Sequence, residues 1–306
     1  MTNTNEVRIE TCTLCNYKCM FCPYSTTFNR KKEVMSLELF MYLLSKIKDE
    51  APQITDCTIS GFGEATLDDT LLEKIKYAKS KEMNVHFLTN GSLLDNELID
   101  NLLELEIDSF RISLHAIEGN TYSLITGQTK YNIEQILESI KYIIKKSSNK
   151  IIITSDIINE NREEIKNIIS SFDKKAILEI WEPHNWTDWG KYREGKIIKQ
   201  TCGRPFNGPI QVQVNGTINM CCFDYNGKLL LGDFKIQTLE EIFNSEPYLT
   251  IKKHHEKGTI EKSRLLCKTC DQLIDAGKDI LIYNNKFSIA ERLGKTSTNY
   301  RSVENV

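Results

Sequence analysis

The 306-residue chain contains no run of 18 apolar residues, so no segment of it reads as a membrane-spanning helix. Its first residues, Met1-Thr2-Asn3-Thr4-Asn5-Glu6, lack the apolar core of a secretory signal. Neither sign of charge dominates: 39 Lys and Arg stand against 42 Asp and Glu, a formal net charge of −3. With a pI near 6.0, that balance removes the general electrostatic case for nucleic acid or an anionic membrane. The basic run between Lys141 and Lys150 alternates with apolar helix positions and reads as a solvated helix face. These absences point to a cytoplasmic chain. A hydrophobic content of 40% is enough for one large domain, or for a barrel with a smaller module. What the sequence does have is cysteine. Ten of them in a cytoplasmic chain point to metal or redox chemistry before disulfides.

The organising stretch is Cys15-Asn16-Tyr17-Lys18-Cys19-Met20-Phe21-Cys22, which follows a short β-like run, Val7-Arg8-Ile9-Glu10-Thr11. Thiolates hold [4Fe–4S] clusters, and three on one loop leave one iron of a cubane for a small molecule. Cys12 adds a second C-x2-C, so Cys12, Cys15, Cys19 and Cys22 also compose a zinc set. Zinc ribbons, however, place a longer excursion between their pairs. The C-x3-C-x2-C spacing, with aromatic Phe21 before the last Cys, resembles the signature of radical S-adenosylmethionine (SAM) enzymes. The resemblance implies a cluster held by Cys15, Cys19 and Cys22 and a SAM molecule chelated to the open iron. One electron, supplied by a flavodoxin- or ferredoxin-type reductant, then cleaves SAM to a 5′-deoxyadenosyl radical that removes a hydrogen atom from substrate.

Strands are expected at 7–11, 54–60, 85–88, 109–114, 150–158 and 176–181. They alternate with helices at 37–49 (Ser36 as N-cap), 67–80, 95–105, 121–127, 131–145 and 163–172. Such alternation argues a parallel sheet, wholly or partly closed. The resemblance implies a partial (β/α)6 barrel over residues 1–195, with the active site at the C-terminal strand ends. Gly61-Phe62-Gly63-Glu64, after the second strand, resembles the family's SAM-amino-binding turn, with Phe62 and Ala65 where Gly and Pro are usual. Its glycines suit a close backbone approach or a positive φ. The resemblance also assigns SAM contacts to Asn90, in Thr89-Asn90-Gly91, and to Ser113. Ser155 and Asp156 are candidates by position. His115 is either a substrate contact or a satisfied polar residue. All three Trp fall in Trp181-Glu182-Pro183-His184-Asn185-Trp186-Thr187-Asp188-Trp189. There, Trp181, His184, Trp186 and Trp189 either recognise a polar, ring-shaped or peptide substrate or form a hydrophobic lid that packs two modules together.

After Gly195 the character changes. Cys202-Gly203-Arg204-Pro205 precedes an alternating strand, 210–214, an Asn215-Gly216 hairpin turn and a second strand running through Cys221-Cys222. A strand at 229–232, a helix at 238–243 and Cys267-Lys268-Thr269-Cys270 follow. This resembles a shortened SPASM, or twitch, module (196–275, α+β) that holds an auxiliary [4Fe–4S] cluster. Cys202, Cys221, Cys267 and Cys270 are its ligands by that resemblance, and structural zinc is the rival. Neighbours on a strand face opposite ways, so one of Cys221 and Cys222 ligates and the other, Cys222 in this assignment, faces elsewhere. A thiol there can return a hydrogen atom to a substrate radical, giving epimerisation. Without such a donor the auxiliary cluster can accept an electron, giving dehydrogenation. Residues 276–306 read as a polar tail with a helix around 288–293. No domain precedes the first strand, which favours oxidation or epimerisation of a small polar molecule such as an aminocyclitol or sugar. Epimerisation or thioether crosslinking of a ribosomal peptide is the alternative. RNA modification is disfavoured by the charge, and a zinc-stabilised binding module is the non-enzymatic alternative.

Overall fold

Six β-branched and apolar runs become six parallel strands joined by helices. The computed structural model describes residues 2–147, 150–197, 199–275, 281–285 and 300–302. The strands are β1 (Glu6–Ile9), β2 (Asp56–Ile59), β3 (Asn84–Thr89), β4 (Ser109–Ser113), β5 (Lys150–Asp156) and β6 (Ile177–Trp181). They pair in chain order, as a partial (β/α)6 barrel requires. The intervening helices are α1 (Leu37–Glu50), α2 (Leu71–Ser80), α3 (Asn96–Glu104), α4 (Gly119–Thr126), α5 (Ile133–Lys146) and α6 (Arg162–Phe172). Capping starts and ends them. Ser36 accepts from the Leu39 N–H, Asp95 from Leu98 and Asn132 from Glu134. Gly127, at φ +62°, closes α4 in the left-handed conformation.

The two faces of the sheet differ. Val7, Ile9, Phe87, Phe110, Ile112 and Leu178 are fully or almost fully buried and form part of one contiguous core with apolar faces of the helices. The opposite parity is polar. Arg111 on β4 donates to Glu179 on β6 at 2.7 Å, and Thr58 on β2 donates to Glu6 on β1 at 2.6 Å. Side chains of one parity share a face, so the lumen of the half-barrel carries charge and hydroxyl groups.

The sheet continues past both edges of the barrel. The C-terminal strands are β7 (Lys196–Ile197), β8 (Ile210–Val212), β9 (Thr217–Asn219), β10 (Leu230–Asp233), β11 (Ile274–Asp275), β12 (Leu281–Tyr283) and β13 (Tyr300–Ser302). Strand β8 lies parallel to β1, with Val7 opposite Ile210. It carries the antiparallel β9 and β10 outward. Strands β7 and β11 form a separate two-stranded ribbon. The helices here are α7 (Arg204–Asn207), α8 (Leu239–Phe243) and α9 (Glu246–Lys257). Three expectations change. Helix α9 has no counterpart in the sequence reading; Pro247 in its first turn and the Gly258 cap mark it. Strand β9 stops at Asn219, two residues before the Cys pair. The segment read as a polar tail contains the buried strand Leu281–Tyr283, antiparallel to β6. The helix expected around 288–293 lies outside the described residues.

One buried carboxylate joins these parts. Glu10, just beyond β1, receives both arms of Arg30 at 2.6 and 2.7 Å. It also accepts the Phe62 N–H at 3.0 Å and the Val214 N–H at 3.1 Å. Glu10 is thus shared by the cluster loop, the β2 turn and the C-terminal hairpin. Glu10→Gln keeps the shape and removes the charge. We expect it to lower unfolding stability by about 2–3 kcal/mol, below the ~3–5 of a fully buried pair because the Arg30 side chain retains 16% exposure. Urea denaturation of the full chain measures it.

Candidate active site

A cavity opens at the C-terminal ends of β1 to β4. Its lining includes Cys15, Cys19, Gly61, Gly63, Glu64, Asn90, Ser113 and His115. The loop bearing the thiols is fixed from several directions. The Cys15 N–H donates to the Tyr24 hydroxyl at 2.8 Å. Lys18 and Met20 donate backbone N–H groups to Thr126 and Ile125 at the end of α4. The Asn90 amide donates to the Asn16 side chain at 2.8 Å. Burial pushes the Cys15 thiol up to about 11 and Cys22 to about 12, and raises Cys19 as well. Desolvated thiolates need a cation, and cluster iron supplies it, so this donor set fits the cluster.

The Gly61–Glu64 turn is pressed onto that loop. A Cβ on Gly63 would stand 2.3 Å from the Leu14 carbonyl, and one on Gly61 2.4 Å from Glu10 Cγ. Neither glycine is among the residues with positive φ. Close approach is therefore the reason for both. The Glu64 N–H donates to the Leu14 carbonyl at 2.7 Å. The Glu64 carboxylate is buried and accepts from the Thr66 N–H and hydroxyl, the Thr89 hydroxyl and the Asn90 N–H. It locks the ends of β2 and β3 together. The Phe62 side chain turns away from the cavity. Its ring stacks on Phe28 and Tyr225 at 5.1 and 5.5 Å and meets Trp186 edge-on. Only its backbone belongs to the turn that faces the cluster loop.

Ser113 lines the cavity, and its hydroxyl makes no hydrogen bond to the described residues. The structure corrects Ser155. Thr154 is the register partner of Ser113, so Thr154 and Asp156 share the cavity parity while Ser155 faces the helices. Ser155 is 1% exposed, with no partner for its hydroxyl. The Asp156 carboxylate accepts no hydrogen bond from the described residues, and burial raises it to about 7. His115 Nδ1 accepts the Asp156 N–H at 2.9 Å, which assigns the ring proton to Nε2. Burial holds this imidazole neutral, near 4. The Phe21 ring packs on it at 4.6 Å.

The second thiol set meets beside the hairpin. Cys202, Cys221, Cys267 and Cys270 line one small cavity with Arg204, Met220 and His255. Burial raises Cys267 to about 12, as it does the core thiol of Cys57, so the convergence of four thiols on one cavity is what fits a cluster. Cys222 is not among that lining. The two cysteines sit on a turn, since β9 has already ended, and their thiols interact with each other.

The tryptophans divide. Trp186 Nε1 donates to the Phe21 carbonyl at 3.0 Å, and Trp189 Nε1 to Thr26 Oγ1 at 2.9 Å. Both tie the linker to the cluster loop, the placement that the lid alternative describes. Trp181 is paired in register with Asp156, and its ring lies 5.8 Å from that of His184. Arg193 went unnoticed in the sequence because no motif surrounds it. It is 2% exposed, donates to the Glu182 carbonyl and lies 3.4 Å from Asp271. Its Nε and Nη1 make no hydrogen bond.

Two sets of half-buried and buried thiols, one at the strand ends of a parallel half-barrel, define an iron–sulfur barrel protein with a ligand cavity beside its first cluster. The profile of the Radical SAM superfamily matches residues 9–172, and that of the SPASM iron–sulfur cluster-binding domain matches residues 202–271. The chain belongs to the radical SAM superfamily, with a SPASM domain after the barrel. Its cofactors are accordingly SAM, the [4Fe–4S] cluster that binds it, and auxiliary iron–sulfur chemistry in the SPASM domain. An uncharacterized protein of Methanocaldococcus jannaschii is 29% identical over 166 residues, covering 51% of this chain and 38% of that one. A probable GTP 3′,8-cyclase of Thermococcus kodakarensis is 30% identical over 143 residues, covering 46% and 44%. The chain thus spans less than half the length of these two relatives. Among solved structures, BtrN in complex with AdoMet and 2-DOIA aligns with a TM-score of 0.63 at 18% identity, covering 88% of this chain and 94% of that one. Streptococcus suis SuiB bound to its precursor peptide SuiA aligns at 0.68 and 14%, covering 90% and 72%. These two likenesses show the fold.

The ligand assignments have a direct test. After anaerobic reconstitution, the wild-type chain should hold about eight irons, as two cubanes require. Cys221→Ala should lose about four of them, while Cys222→Ala should lose none. The reverse result would exchange the two roles.

Proposed function

We propose that this radical SAM enzyme oxidises a small polar molecule, such as an aminocyclitol or sugar, at a hydroxyl-bearing carbon. The observation that carries the reading is the Asp156 carboxylate. It stands at the end of β5, on the parity of the cavity, without a hydrogen-bond donor among the described residues. His115 on one side and Arg193 on the other frame it. When bound, the cluster and SAM supply the 5′-deoxyadenosyl radical that takes a hydrogen atom. The chain's own residues do the rest. Ser113 and the backbone of Gly61–Glu64 orient SAM. His115 offers an Nε2–H donor, and Asp156 accepts a hydroxyl hydrogen bond from substrate and then its proton.

A base with its pKa raised to about 7 is protonated below that pH and competent above it. Product formation should therefore rise through about pH 7. In Asp156→Asn that acid limb should vanish and the rate fall by about 10²–10⁴-fold, while SAM cleavage persists. An unchanged pH profile in Asp156→Asn would remove Asp156 from the role. The substrate class is tested by 5′-deoxyadenosine release with aminocyclitols, sugars and peptides in parallel. Turnover by peptides alone would overturn the small-molecule reading.

The second reading, epimerisation, is favoured by Cys222, a half-buried thiol outside the auxiliary cavity. In D2O a product carrying carbon-bound deuterium, lost in Cys222→Ala while 5′-deoxyadenosine still forms, would select it. A carbonyl product that survives Cys222→Ala selects oxidation.

A further inference from the structure

Arg204 places a fixed charge among the cysteine thiols of the second set, nearest Cys222 and then Cys221, Cys202 and Cys270. It opens the short helix α7, directly after Gly203 at φ +79°, two residues beyond Cys202. Its side chain lies in the cavity lined by Cys202, Cys221, Cys267 and Cys270. The guanidinium carbon sits 4.8 Å from the centroid of the Phe223 ring, which holds it by a cation–π contact. It makes no hydrogen bond or ion pair with the described residues. A guanidinium is permanently charged and carries five N–H donors in a fixed fork. Half-buried beside the four thiols, that fork is placed to meet an anion held by them. The site is built to hold one. Four thiolates around a 2+ cubane give a net charge of 2−, and one-electron reduction makes it 3−.

We propose that Arg204 pairs with the auxiliary cluster and raises its reduction potential, fitting it to take the electron left on the substrate. A fixed cation stabilises the more negative, reduced state more than the oxidised one, and local charge and hydrogen bonds to sulfur set cluster potentials. The inference rests on the oxidation reading. The first C–H bond breaks homolytically, and its hydrogen passes to the 5′-deoxyadenosyl radical. The carbon then holds one unpaired electron. The C=O bond forms as the hydroxyl proton goes to Asp156 and that electron goes to the auxiliary cluster, which changes from 2+ to 1+. Arg204 moves neither proton nor electron, so it is a positioning residue acting through charge.

Potentiometric titration of the reconstituted full chain, followed by electron paramagnetic resonance, reads the effect without turnover. Arg204→Gln should lower one of the two waves by an amount equivalent to about a tenfold weaker electron affinity, ~59 mV for a one-electron couple. The SAM-cluster wave, identified by its response to added SAM, should stay in place. Arg204→Lys keeps the charge but loses the fork and should shift the same wave by less. Unshifted waves in both variants, with iron retained, would overturn the proposal. Should Arg204→Gln fail to hold the auxiliary cluster, Arg204→Lys decides alone: a lowered wave supports the role and an unshifted one overturns it. Failure of the oxidation reading looks different. The auxiliary wave would move as described, yet a single turnover of wild-type enzyme on polyols would give no carbonyl product.

Discussion

The two-point clamp of Arg30 on Glu10 is the constraint on which the rest of the structure depends. Glu10 is 6% exposed, and every group it accepts from belongs to a different part of the site. Arg30 comes from the far side of the cluster loop, Phe62 from the glycine turn, and Val214 from the hairpin that carries Cys221 toward its cavity. A buried carboxylate without donors would be strongly destabilising. These segments are therefore held at one point by the need to solvate it with protein N–H groups. The same side chain explains Gly61, whose Cβ would overlap Glu10 Cγ.

A second layer of ties crosses from the linker to the cluster loop. Trp186 and Trp189 donate their indole N–H groups to it, and the Tyr192 hydroxyl donates to the Met20 carbonyl at 3.1 Å. Phe28, Phe62, Trp186 and Tyr225 pack ring to ring between the turn, the linker and the hairpin. Aromatic packing of this kind is stiff and excludes water, so the loop that holds the first cluster is braced by the module that holds the second. Covering these thiols also raises their pKa, and that cost is relieved once iron is bound.

The charged groups of the barrel fall into two kinds. Arg111 with Glu179, and Glu6 with Arg8 and Thr58, satisfy one another and shape a polar lumen. The Asp156 carboxylate, and the Nε and Nη1 groups of Arg193, have no hydrogen-bond partner among the described residues. In buried surroundings, unpartnered polar groups are few; among the described residues they include Arg193 Nε and Nη1, but also Thr2, Ser155 and Gln211.

The sequence by itself determined the first-cluster cysteines, the order of the six strands and the glycine turn. Each rests on local spacing: thiols close along one loop, apolar runs of strand length, and glycines at a strand end. It determined the composition of the second thiol set but not the placement of Cys221 and Cys222, because strand β9 ends at Asn219 and a turn decides where each thiol lies. Parity decided between Ser155 and Asp156. A shift of one residue exchanges the faces of a strand, and only the register with Ser113 fixes it. The tertiary structure alone placed Arg193 and Glu10 at their junctions, tied Trp186 and Trp189 to the cluster loop, and laid Leu281–Tyr283 against β6. Most of those contacts join residues far apart along the chain, as Glu10 and Val214 are, and no local period or propensity encodes a meeting of that kind.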